Sequence, residues 1–147
     1  METRLDLLSL ELAKELSHAN AAKQQLIAWS TCKMALSHTR LRNSLIDQFL
    51  DVTEGKKSVD LPVLRNELLK YAEKLDEVQW NLREEVDNGI ETMPNYLQAF
   101  TDARVINALY FALDPNPYIA AAESIYETYA ATGNLLSLRN IISTIMG

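Results

Sequence analysis

Apolar side chains recur at intervals of three and four along most of the chain, the spacing that stacks them on one face of an α-helix. Over residues 3–50 the series is Leu5, Leu8, Leu12, Leu16, Ala19, Leu26, Trp29, Ala35, Leu41, Leu45 and Phe49, with no glycine or proline between them. One unbroken helix of that length would run about 70 Å at 1.5 Å per residue, well beyond the width of a domain of this size. A break is therefore expected at 17–20 or at 30–32, where Ser, Thr and Asn side chains compete for backbone hydrogen bonds.

The segment 51–60, with Gly55, Lys56, Lys57 and Ser58, reads as an exposed, mobile connector. Asp60 then caps a helix with Pro62 in its first turn, where a missing N–H costs nothing. Leu61, Leu64, Leu68, Tyr71, Leu75, Val78 and Leu82 form a heptad seam along it, of the kind used in coiled coils, and Asn88 and Gly89 end it. A helix entered through Pro94 follows over 92–113. Asn116 and Pro117 start the next, which Gly133 stops, and Asn134 caps a last helix reaching Met146. No strand is needed. The pattern predicts an all-α single domain over 1–147: an antiparallel helical bundle of five to six helices with a long N-terminal helical region and a C-terminal helical hairpin.

Charge changes that picture in one place. From residue 105 onward only Asp114, Glu123, Glu127 and Arg139 are charged. Helices that are apolar around most of their circumference have to be enclosed, by the rest of the bundle or by a second copy. Together with the long N-terminal region and the heptad seam, this is more apolar surface than a small bundle easily hides, which points to a homodimer.

The 147 residues suffice for one core, and 48% hydrophobic against 23% charged content marks a folding sequence. The net charge of −6 is concentrated mid-chain, where residues 51–100 hold eleven acidic against six basic side chains. Such a surface repels a phosphate backbone, so direct nucleic-acid binding is not expected. A single cysteine, Cys32, needs no oxidising compartment. Glu2, Arg4, Asp6 and Glu11 interrupt the N-terminal leucines, which leaves no signal-peptide core there, and no apolar run is long enough to span a membrane, so a cytoplasmic location without a membrane span is expected.

No constellation for chemistry emerges. A carboxylate-bridged metal bundle requires two Glu-x-x-His motifs; Glu15 and His18, preceded by Glu11, supply one, and His38 has no acid three residues before it. On one helix, Cys32 and His18 would lie about 21 Å apart, so no thiol–imidazole pair forms. The glycines are isolated and make no phosphate loop. The reading is of no catalytic residue, no metal and no cofactor. In the C-terminal hairpin, Leu113, Asp114, Pro115 and Asn116, with Tyr129 followed by Gly133 and Asn134, resemble the turn pattern of a tetratricopeptide repeat. The resemblance ends at that turn: Tyr126 and Leu138 stand where the repeat wants small residues, and one period earlier Asn95 begins no similar pattern.

Two surfaces are candidates for partner binding. Trp80 lies opposite the heptad seam and on the side of Leu69, which implies either a second buried face or a binding hot spot. On the same helix Glu84, Glu85 and Asp87 crowd the last turns, where carboxylates oppose the dipole at about 0.3–1 kcal/mol each; internal pairing with Arg83, Arg104 or lysines of the first helices, or a basic partner, would offset this. The second candidate is the stripe Tyr118, Ile125 and Tyr129 with Tyr126 alongside, since tyrosine suits a core edge and an interface equally. These features predict a non-enzymatic helical interaction module, an adaptor, regulator or chaperone-like factor. The alternatives are an acidic inhibitor imitating nucleic acid and a small-molecule-binding bundle, which would need a pocket with convergent polar groups.

Overall fold

The computed structural model describes residues 2–56 and 58–147, so Lys57 of the expected mobile connector lies outside the described residues. It contains eight helices: α1 Arg4–Leu8, α2 Leu10–Ser17, α3 Ala21–Leu36, α4 Ser44–Thr53, α5 Leu61–Asp87, α6 Met93–Ala112, α7 Pro117–Thr132 and α8 Leu135–Met146. No strand occurs among the described residues. Eight helices replace the expected five to six because the N-terminal region breaks three times, not once.

Each of those breaks is made by a side chain that captures the next helix's free N–H groups. Ser9 accepts from the Leu12 N–H at 3.2 Å and starts α2. Asn20 accepts from Lys23 at 2.9 Å and starts α3. Asn43 accepts from Ile46 at 3.1 Å and starts α4 after the non-helical stretch 37–43. The 17–20 break is thus present, whereas α3 runs without interruption through 30–32. Further along, Asp60, Asn116 and Asn134 cap α5, α7 and α8 as their positions suggested. Gly133 ends α7 in the left-handed conformation at φ +66°, and its N–H closes onto the Tyr129 carbonyl at 2.7 Å.

One contiguous core joins these helices, with Ile27, Phe49, Leu68, Leu109, Ile125 and Leu138 among its fully buried members. α6 packs along α7, α3 lies across both, and α1, α2 and α8 close the remaining sides. The charge-poor last third is therefore enclosed within the chain. The heptad seam is also absorbed internally, but in altered form: α5 buries Leu64, Leu68, Ala72 and Gln79, while Leu61 and Val78 of the expected seam are exposed. Apolar surface nonetheless remains in all three regions that argued for a second copy, at Leu7 and Leu10, at Leu61 and Val63, and at Leu136.

Three of the four charges of α6 and α7, Arg104, Glu123 and Glu127, join a largely shielded network. Arg4 of α1 donates to Glu123 at 2.7 Å and to Glu127 at 2.8 Å. Arg104 of α6 binds Glu127 at 2.9 Å and also Asp76 of α5. The Glu127 side chain keeps 2% of its surface exposed. A carboxylate so placed persists only because two guanidiniums meet it. Burial alone would lower the Arg4 pKa; the facing Glu127 and Glu123 carboxylates outweigh it and hold the guanidinium more firmly charged than usual. Arg4 also lies over the Tyr126 ring at 4.4 Å, which pins α1 to α7.

Candidate interaction surface

α5 is the longest helix, and its 27 residues extend about 40 Å. Its first half is held by the core. Its second half pairs with the start of α6 across the turn 88–92, with Arg83 donating to the Tyr96 hydroxyl at 3.3 Å. Over residues 77–100 only Gln79 and Tyr96 are buried. This end of the α5–α6 hairpin has almost no interior of its own.

It nevertheless carries large apolar side chains. Trp80 is 65% exposed and Ile90 75%, with Met93 and Leu97 about half exposed at 49% and 51%. The first expectation for Trp80, a helix sandwiched in the core with a second buried face, is corrected: Leu69 is half-buried, but nothing covers the indole. Other large apolar side chains are exposed elsewhere, Leu7, Leu10, Val63 and Leu136 among them, but at this end five of them, with Val78, share one short hairpin.

The same stretch holds five carboxylates, Glu77, Glu84, Glu85, Asp87 and Glu91, against one cation, Arg83, a net −4 out of the chain's −6. None of the five is in an ion pair among the described residues. Internal pairing of Glu84, Glu85 and Asp87 with Arg104 does not occur, because Arg104 is committed to Glu127 and Asp76. Arg83 is turned to Tyr96. Glu91 instead accepts from the Thr92 N–H at 2.7 Å and from Asn95 at 2.8 Å; these bonds, the backbone one foremost, lower its pKa. At 100° per residue, Glu73, Trp80, Glu84 and Asp87 fall within a narrow band of α5, with Glu77 at its margin. The indole thus sits in an acidic stripe about 20 Å long.

The tyrosine stripe has a different character. Ile125 is fully buried, so no partner reaches it in this fold. Tyr118, Tyr126 and Tyr129 are half-buried at the core's edge. Burial, with Asp6 nearby, raises the Tyr118 pKa, and Tyr126 is roofed by Arg4. The structure therefore gathers Trp80, Glu84, Glu85 and Asp87 on one exposed end and leaves the tyrosines elsewhere, facing inward.

Ile90, Met93 and Leu97 belong to the exposed end and were not singled out from sequence. Met93 and Leu97 share one helix face at i, i+4, a signal that periodicity reads equally as core. As for chemistry, Cys32 is buried, donates to the Ala108 carbonyl at 3.3 Å, and has its pKa pushed far up by desolvation, the opposite of an activated nucleophile. His18 is an exposed helix cap, and no group of three or more His, Cys, Asp or Glu converges on a metal position among the described residues. No described helix is long and apolar enough to cross a membrane. No protein-family model, no curated protein and no solved structure matches the chain.

Proposed function

We propose that the chain is a non-enzymatic helical interaction module, an adaptor, regulator or chaperone-like factor, whose α5–α6 hairpin end docks a basic, partly apolar segment of another protein. The observation that carries this is Trp80, exposed on a stripe of carboxylates with no ion-pair partner among the described residues, Arg83, four residues before Asp87, being the one cation of that stretch. Tryptophan ringed by complementary charge is the composition of a binding hot spot: the indole supplies affinity, and the acids supply orientation and speed of encounter. In the bundle reading that accompanies it, helices joined by short turns pack antiparallel, consistent with Thr101 meeting Ala131 where Arg104 meets Glu127.

The test is affinity capture from the native cell with wild-type, Trp80→Ala and Glu84→Gln/Glu85→Gln/Asp87→Asn baits, followed by titration of the purified partner. A partner with a basic segment, bound at least tenfold more weakly by each variant and steeply weakened by added salt, is the expected result. Binding indifferent to salt and to both variants would refute it.

A second reading, an acidic inhibitor imitating nucleic acid, draws on the contiguity of the acids along α5. Lys74 lies round the helix from the stripe, whereas Lys70, paired with Glu67, flanks its start and Arg83, folded onto Tyr96, stands four residues before Asp87. Exposed Trp80, Ile90 and Met93 have no counterpart in a phosphate backbone, which is why this reading ranks second. Competition between the protein and a DNA duplex for the captured partner distinguishes the two. A homodimer through the same end would bring two net −4 surfaces together, so self-association is expected only at high ionic strength; sedimentation equilibrium in low and high salt measures it.

A further inference from the structure

Away from the hairpin end, a cavity of about 350 Å³ opens where α3, α4, the first turn of α5 and the α6–α7 turn meet. Its walls are largely apolar, with Trp29, Val52, Pro62, Leu113 and Pro117 prominent. That size and lining are those of a small-molecule site. The frame is stiff, because its corners are capped helix starts containing proline. Asp60 caps α5 ahead of Pro62, and Asn116 caps α7 ahead of Pro117. Asp114 further ties the turn by accepting from the Asn116 N–H at 2.9 Å. A cavity framed in this way is preformed, which lowers the ordering cost of binding.

Its polar groups indicate what would bind. Among the described residues, Arg65 and Asp114 are the only charged side chains in the lining, and they pair with each other at 3.0 Å, so that part of the wall is neutral overall. Arg65 is further held over the Tyr110 ring at 4.7 Å. The Asp114 carboxylate is already engaged by Arg65 and Asn116. Gln25 brings a side-chain amide to the lining, and Trp29 Nε1 and Arg65 Nε are buried with no acceptor among the described residues. Buried donors left without partners are rare and costly in native proteins. Both atoms are closed off from water, so an acceptor in the cavity meets one only when the indole or guanidinium turns toward it.

We propose that this cavity binds a small, uncharged, mainly apolar molecule that presents a carbonyl acceptor to Trp29 and Arg65. A charged ligand would meet no net countercharge there. A purely apolar one would leave the donors as they are.

Prodan, a neutral naphthalene ketone whose emission reports both polarity and hydrogen bonding, is a suitable probe. In full-length Trp80→Phe protein, Trp29 is the sole indole and an energy donor to it. Expected are saturable one-to-one binding, a blue shift of prodan emission, and quenching of Trp29. Val52→Phe, which fills the cavity, should abolish all three while thermal melting stays cooperative. Trp29→Phe should weaken binding about fivefold, the loss of one hydrogen bond, and this variant carries the test if Val52→Phe does not fold. Anionic 2-naphthoate, of similar size, should bind at least tenfold more weakly than prodan. Non-saturable prodan fluorescence, equal binding by folded Val52→Phe, or tighter binding of 2-naphthoate would each overturn the proposal.

Discussion

Two groups of carboxylates in this chain receive opposite treatment. On α7, Glu123 and Glu127 are drawn into the interior and met by Arg4 and Arg104, so that a helix with almost no charge keeps what it has fully paired. On the hairpin end, Glu77, Glu84, Glu85, Asp87 and Glu91 stand around an exposed tryptophan with no ion-pair partner among the described residues. The first arrangement locates helices relative to one another. In the second, Glu91 accepts from the start of α6, while Glu84, Glu85 and Asp87 work against the fold, since no basic side chain occupies the last turn of α5 to balance the dipole. A charge whose neighbours answer it belongs to the architecture; a charge that none answers is free for a partner.

Removing one carboxylate from each group tests the contrast most severely. Glu127→Ala takes a shared partner from Arg104, which keeps Asp76, and from part-exposed Arg4, which keeps Glu123, and should cost about 3 kcal/mol of stability, the lower end for a broken buried pair. Glu84→Ala should change stability by no more than about 0.5 kcal/mol. Urea denaturation with both variants measures this directly. Comparable losses would mean that the acidic end is held by contacts as consequential as those of α7.

Local opening offers a second measure. Where few side chains are buried, backbone hydrogen bonds open without global unfolding. Amides of residues 78–87 should exchange with deuterium roughly a hundredfold faster than those of 121–128, although both sets lie in regular helix. Equal protection would show that the hairpin end is stabilised cooperatively with the core, and the division into two regions would collapse.

The Arg4 side of the network comes next in size. Arg4 is 37% exposed, so its ion pairs are partly screened, and Arg4→Ala should cost about 1–2 kcal/mol, including the lost contact with the Tyr126 ring. The loss should be local. Exchange should quicken across α1, which Arg4 fastens to α7, with little change in α6. A uniform quickening would instead make Arg4 a member of the cooperative core.

How much of this was legible in advance depends on the range of the interaction. Boundaries written in local chemistry came through: Asp60 with Pro62, Asn116 with Pro117, and Gly133 with Asn134 each fix a helix end within a few residues of themselves. The breaks at Ser9 and Asn43 were equally local, yet they lie in a stretch without glycine or proline, and their capping role was masked by an apolar rhythm that continues across them. The ion network was invisible for a different reason. Arg4 and Glu123 are 119 residues apart, and no spacing rule connects them. Periodicity placed Trp80 off the main seam correctly but could not say whether another helix lay over it. The same ambiguity made Tyr118, Ile125 and Tyr129 look like a contact stripe, although Ile125 is sealed inside.

The smallest expected effect is also the most pointed, because its sign is opposite to that of the others. Neutralising the end of α5 with Glu84→Gln, Glu85→Gln and Asp87→Asn together relieves carboxylates that oppose the helix dipole and repel one another. The melting temperature should rise by on the order of one or two degrees, and the rise should fade in high salt, where the repulsion is already screened. Glu127→Gln on α7 should lower it under the same conditions. A gain in stability on removing three charges from one turn would mean that the fold is better off without them, so that whatever keeps them in the sequence acts outside the folded chain. A loss of stability would instead reveal partners within the chain and return these residues to the architecture, leaving Trp80 without its acidic surround as an argument for docking.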